Sequence, residues 1–283
     1  MAPGVQGQSI ESWPRMTRLT LLKLFAAMLV IAVVTSVVMV SIDWNGPQAS
    51  AQADEIDTLL DVMIVISSFV FAVVIVMLGY AVWKFRAKPG DESDGKPIHG
   101  NARVEVAWTV IPTILVLFGA IYSWIILDDI EAKDPNRMPV EVTVQQFAWR
   151  FDYPELGVTS NELHVPVGRQ IELSLTSLDV IHAFWVPEWR IKRDIVPAGP
   201  GGDEIDRTVV VTPDVEGTYS VVCTELCGTG HSTMRAFTVV EPQADFEAWA
   251  AEQKAIPPEG DVSTGAAGGN GAGSAENLLG TLE

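Results

Sequence analysis

Thr218-Tyr219-Ser220-Val221-Val222 runs into Cys223-Thr224-Glu225-Leu226-Cys227-Gly228-Thr229-Gly230-His231-Ser232-Thr233-Met234, and the chain returns through Ala236-Phe237-Thr238-Val239-Val240. Two short alternating segments around a glycine-containing loop read as two strands. Upstream, Val140–Val144, Gln170–Leu175 and Arg207–Val211 carry the same pattern. Turn signals separate them at Pro166-Val167-Gly168, Pro197-Ala198-Gly199-Pro200-Gly201-Gly202 and Asp214-Val215-Glu216-Gly217. Short strands with such punctuation, from Met138 to Val240, point to a β-sandwich or barrel. Pro242 to Lys254 reads as a short amphipathic helix with Phe246 and Trp249 on one face. After Pro257 the chain is Gly/Ala/Ser-rich and acidic, a composition expected to be disordered.

Before residue 128 the pattern is different. Leu24–Ile42, Val62–Trp83 and Val106–Leu127 are charge-free apolar runs, each past the roughly 18 residues that mark a membrane-span candidate. The second and third form a hairpin. Arg15, Arg18 and Lys23 precede the first run and Ala49-Ser50-Ala51 follows it, so it reads either as a signal peptide or as an extra span. Lys84, Arg86, Lys88, Lys96 and Arg103 fall between the second and third runs. Positive loops stay in the cytoplasm, which puts everything after Asp128 on the outer face.

Charge agrees with this division. The 283 residues carry a net charge of −18 and a mean hydropathy of +0.25. From Asp128 onward there are 26 acids and 10 bases, a net of −16. No basic patch exists to neutralise phosphates, so nucleic-acid binding is excluded, as is a wholly cytosolic globular protein. An acidic outer domain would attract a basic partner, although many acids lie in the tail.

The loop carries the chemistry. Cys223 and Cys227 are the only cysteines, and His231 and Met234 follow within the same 12 residues. Thiolate, imidazole and thioether together select copper. A single-copper electron-transfer site takes one Cys, two His and a weak axial Met; here there is one thiolate too many. Two thiolates can bridge two copper ions, each needing a terminal imidazole. His231 supplies one, and His182 in Leu178-Asp179-Val180-Ile181-His182 is the candidate for the other. Met234 and a backbone carbonyl in the loop, that of Glu225, complete the set. A Cys223–Cys227 disulfide and a zinc site remain as alternatives. His164 reads as a strand residue and His99 as a loop residue.

With these residues in hand, the chain resembles subunit II of haem–copper cytochrome c oxidases from about Asp57 to Trp249. The resemblance rests on the hairpin, the Cys-x-x-x-Cys-x-x-x-His-x-x-Met run and the upstream Asp-Val-x-His. It implies a cupredoxin-like β-sandwich holding a binuclear copper A centre on His182, Cys223, the Glu225 carbonyl, Cys227, His231 and Met234. It also implies a magnesium ion shared with subunit I through the Glu225 side chain, and a proton-pathway mouth at Glu105; the plainer reading of Glu105 is an acid at a helix start. Gln146-Phe147-Ala148-Trp149-Arg150-Phe151 matches an aromatic segment beside the copper centre. The family usually has Gln-Trp-x-Trp, the first Trp receiving the electron; this chain has Phe147 there and keeps Trp149.

The expectation is a membrane-anchored all-β protein. Residues 1–51 would be a signal peptide or first membrane segment, 52–130 the hairpin, 131–256 the copper A domain and 257–283 the tail. The implied partners are subunit I with its haem and copper B, subunit III, and cytochrome c or a c-type cytochrome subunit as donor, in a bacterial plasma membrane. No Cys-x-x-Cys-His occurs, so no c-type haem is attached to this chain. Two other readings stand beside this one: a membrane-anchored copper chaperone holding Cu(I) on Cys223 and Cys227, and a copper-free quinol-oxidase subunit, which would leave both Cys unexplained.

Overall fold

The computed structural model describes residues 16–87, 89–90, 100–198 and 207–255. Arg15, Lys88, Lys96, His99, the Gly199–Gly202 part of one expected turn and the 257–283 tail lie outside the described residues. Three helices come first: α1 (Arg18–Val40), α2 (Ala51–Lys84) and α3 (Ala102–Ile130). All three are long and apolar enough to cross a membrane, so the first run forms a third candidate span beside the expected hairpin. Thr17 caps α1 by accepting the Thr20 N–H at 3.1 Å. The Asn101 side chain accepts the Arg103 and Val104 N–H groups, and Glu105 accepts the Asn101 N–H at 2.9 Å. This reciprocal cap satisfies the free donors of the α3 start. Large apolar side chains such as Phe71, Val82, Val116 and Trp124 face outward, as lipid or another subunit requires.

Ten strands follow: β1 (Met138–Gln145), β2 (Ala148–Tyr153), β3 (Val158–Ser160), β4 (Leu163–Pro166), β5 (Ile171–Ser177), β6 (His182–Val186), β7 (Ile191–Ile195), β8 (Thr208–Val211), β9 (Gly217–Cys223) and β10 (Arg235–Glu241). They make two five-stranded sheets, ordered β3-β2-β1-β5-β8 and β4-β10-β9-β6-β7. The β1/β5 and β10/β4 pairs are parallel and the rest antiparallel. All five expected strands are present. Between β1 and β10 there is no α-helix among the described residues.

Burial follows from alternation. In β1 Val140, Val142 and Val144 face the opposite sheet while Glu141 faces water. They meet Phe151 and Leu173 of their own sheet and Leu163, Phe184, Val221 and Val240 of the other in one continuous core. α4 (Gln243–Ala255) covers an edge of that core. Its Phe246 and Trp249 close on Tyr153, and Trp249 stacks on the His164 ring at 4.1 Å. The Tyr153 hydroxyl accepts the His164 N–H at 2.7 Å and donates to the His164 carbonyl at 2.9 Å. Burial raises the Tyr153 pKa well above the usual phenol range.

Leu173 is fully buried between the sheets. Leu173→Ala should destabilise the protein by about 2–5 kcal/mol, because the rigid neighbours cannot collapse into the vacated volume. Val215→Ala, at a residue 46% exposed, should change stability by no more than about 0.5 kcal/mol. Thermal unfolding followed by tryptophan fluorescence checks both.

Candidate metal centre

The candidate ligands come from two elements and one loop. β6 opens at His182, and β9 ends at Cys223, with Phe184 opposite Cys223 across the ladder. The loop 224–234 is drawn back over the strand end: the Thr224 N–H donates to the Ala183 carbonyl and the Cys223 N–H to the Met234 carbonyl, both at 3.3 Å. A short 3-10 turn, His231–Thr233, ends the loop before β10.

The result is a compact cluster of soft donors. His182 Nδ1 lies 3.8 Å from Cys223 Sγ, and the two sulfurs are 3.9 Å apart. Cys227 Sγ is 3.6 Å from His231 Nδ1 and 3.7 Å from Met234 Sδ. The Glu225 carbonyl is 3.3 Å from Cys223 Sγ. Both cysteines are free thiols, so the disulfide alternative falls away. All six expected positions therefore converge. Among the described residues, His182, Cys223 and Cys227 also form the one group of three His, Cys or acidic side chains close enough to share a metal. The donor set fits copper: two sulfurs between two imidazoles, a thioether and a carbonyl, all but His231 and Glu225 almost wholly buried. A zinc site would have no use for the buried thioether.

Asp179 and Gln146 organise the cluster. Asp179 Oδ1 lies 2.9 Å from His182 Nε2, which therefore carries the proton and leaves Nδ1 free toward Cys223. Asp179 also accepts the backbone N–H groups of Gln146 and Val180, each at 2.7 Å. Burial works to raise the Asp179 pKa, but these bonds together hold it below the ordinary aspartate value. The Gln146 side chain donates to the Cys227 carbonyl, tying the β1–β2 turn to the loop. The bond roles of Asp179 and Gln146 were not legible in sequence. The signal for Asp179 is its place three residues before a buried His.

The two aromatic candidates separate. Trp149 is 5% exposed and packs edge-on against Phe184 in the core. Phe147 is 39% exposed, and its ring lies across the loop. A Cβ at Gly230 would stand 2.6 Å from that ring, so Gly230 is the residue that lets Phe147 lie there. The Glu105 carboxylate accepts the Asn101 N–H at the start of α3 and is not part of this cluster. Glu225 is half-buried beside the cysteines. His164 is a strand residue, as expected, with Nδ1 2.9 Å from Glu241.

The chain matches the family described as cytochrome C oxidase subunit II, transmembrane domain, over residues 44–126. It matches cytochrome C oxidase subunit II, periplasmic domain, over residues 142–241. Cytochrome c oxidase subunit 2 of Thermostichus vulcanus is 33% identical, across 74% of this chain and 78% of that protein. The protein of the same description from a Synechocystis strain is 31% identical, across 83% and 85%. Quinol oxidase subunit 2 of a Bacillus cereus strain is 27% identical, across 76% and 73%. The solved periplasmic domain of subunit II of cytochrome oxidase (CoxB) of Bradyrhizobium japonicum is 25% identical over 44% of this chain and 96% of that one, with a TM-score of 0.39.

Burial, reinforced by the neighbouring Cys223 sulfur, pushes the Cys227 thiol up from 9.0 to about 11. A pKa raised on folding stabilises the fold below the unfolded value, and that contribution is lost as pH rises through the folded one. The melting temperature of the metal-free protein should therefore fall between pH 9 and pH 11. Cys227→Ser should lessen that fall while Tyr153 is left in place. Melting curves across that range check it.

Proposed function

This chain belongs to the cytochrome c oxidase subunit II family, and we propose that it is the electron-transfer subunit of a proton-pumping terminal oxidase. On this reading it accepts single electrons from cytochrome c or a c-type cytochrome subunit at a binuclear copper A centre. It passes them to haem in subunit I, where oxygen is reduced to water. The observation that carries the reading is the convergence of His182, Cys223, Cys227, His231, Met234 and the Glu225 carbonyl in one cluster. A copper-free quinol-oxidase role gives no reason for two free thiols facing two imidazoles.

Two copper ions held on these donors would supply a one-electron carrier whose bond lengths change little, since the charge is spread over both metals. The residues do the rest. Cys223 and Cys227 would bridge, and they must lose their protons to do so. His182 is fixed by Asp179 and fully excluded from water. His231 reaches the surface side of the loop. Leu178, Ile181 and Leu226, all exposed, lie in the ligand segments, giving the donor an apolar contact within an acidic domain. Because Trp149 is buried, we assign the point where electrons enter to Phe147 and the loop it covers.

The finer partners belong to the same proposal. The Glu225 carboxylate would hold a magnesium ion shared with subunit I, since a hard cation suits a carboxylate. Glu105 would stand at the mouth of a proton pathway into subunit I, at the inner end of α3. Lys84, Arg86 and Arg103 among the described residues keep that end in the cytoplasm, with the β domain on the outer face of the plasma membrane. Subunit III completes the complex.

The purified complex should contain two copper ions bound by this subunit, with one unpaired electron shared over both nuclei in the electron paramagnetic resonance spectrum. Cys227→Ser should abolish that shared signal, and an unchanged spectrum would sink the binuclear reading. Phe147→Trp should alter the rate of donor oxidation and leave the spectrum in place; an unaltered rate would move the point of entrance to another edge.

A further inference from the structure

The segment between α1 and α2 is part of the outer domain. Ala49 is 1% exposed and Ser50 2%. The Ala49 N–H donates to the Glu188 carbonyl at 2.8 Å, and the Ala51 N–H to the Thr212 carbonyl at 2.9 Å. Ser50 pairs with Pro213 in an isolated antiparallel bridge, and its hydroxyl donates to the Trp189 carbonyl at 3.0 Å. Gln52 Oε1 accepts the Thr212 N–H at 3.0 Å.

Arg190 closes over this segment. Its side chain is 5% exposed, and its backbone sits in the left-handed region at φ 61°. Nε and Nη2 bond the Asp57 carboxylate of α2 at 2.9 and 3.0 Å. The same guanidinium donates to the carbonyls of Asn45, Gly46 and Pro47 at 3.1, 2.6 and 3.2 Å. One buried cation thus joins the end of the first membrane segment, the second helix and the β domain. Below the clasp α1 lies along α2, with Ala32, Ser68 and Ala72 buried; such small residues let two membrane helices approach closely.

A leader peptidase needs small residues one and three positions before the cut. Between α1 and the first turn of α2, Ala49-x-Ala51 and Ala51-x-Ala53 are the small-x-small pairs. The first lies within the clasp, and the second ends one residue beyond it at Ala53, which is 0% exposed. A cut after Ala51 would remove the buried residues Ala49 and Ser50. It would also take three carbonyls from a buried guanidinium, leaving donors without acceptors. The region matched to the family's transmembrane domain also begins at residue 44, ahead of both pairs.

We propose that α1 is retained in the mature subunit as a permanent third membrane span, held by a clasp formed by residues 45–52, Asp57 and Arg190. This inference is independent of the copper reading.

Mass spectrometry of the subunit, purified within its complex from native membranes, tests it. The expected result is an intact Ala51–Gln52 bond and a mass that includes α1. A mature chain beginning anywhere after Val40 would overturn the proposal. The clasp is read separately by limited proteolysis. Asp57→Asn and Arg190→Ala should speed cutting within residues 41–50 by roughly tenfold, since local opening governs such cleavage. The copper content and paramagnetic spectrum should stay unchanged. Unaltered cutting in the milder Asp57→Asn variant would overturn the clasp, whereas loss of copper in the unmutated protein would bear on the electron-transfer reading alone.

Discussion

The pairing of β6 with β9 is the constraint on which the site depends. His182 stands at the start of one strand and Cys223 at the end of the other, and the ladder that sets Phe184 opposite Cys223 brings them together. Both strands lie inside their sheet, with β10 and β7 as outer neighbours, so neither end is free to shift. The loop then needs only to fold back once to bring Cys227, His231 and Met234 to the same point. Its bonds to Ala183 and Cys223 are backbone bonds, which any side chain would permit. The donor geometry is therefore a property of the sandwich, and the loop supplies chemistry to a frame already fixed.

Legibility in sequence follows the same division. Val140-Glu141-Val142-Thr143-Val144 announces β1 because one face meets the core and the other meets water. β6 and β7 carry no strand signal in sequence, for physical reasons. His182-Ala183-Phe184-Trp185-Val186 is buried on both faces except at Trp185, so it has no period-two signal. Ile191–Ile195 is interrupted by Lys192, Arg193 and Asp194, whose alternation is polar. β3 is only three residues long. The candidate donors of the loop stand out because soft donor types are rare and four of them fall within 12 residues. Their supports were not: Asp179 and Gln146 are ordinary polar residues until the fold gives them partners. Trp149 and Phe147 look equivalent in a string of aromatics, and only the turn that sends one inward and the other across Gly230 separates them.

Polar groups near the centre act as restraints rather than as isolated sources of stability. Asp179 accepts from Gln146, Val180 and His182, and Gln146 in turn reaches the Cys227 carbonyl. A candidate ligand, a strand turn and the loop thus share one hydrogen-bonded unit. Such a unit holds the candidate donors in a preset geometry, which the proposed electron-transfer role would require of its surroundings.

The parallel pairing of β10 with β4 sets an order in time. Leu163 faces Thr238 across that ladder, so the second sheet is incomplete until the last strand has left the ribosome and crossed the membrane. Every candidate ligand emerges before that strand does. Pairings between distant segments form slowly. The donors are thus translated first and enclosed last, and the pocket that gathers them is among the final features of the chain to take shape.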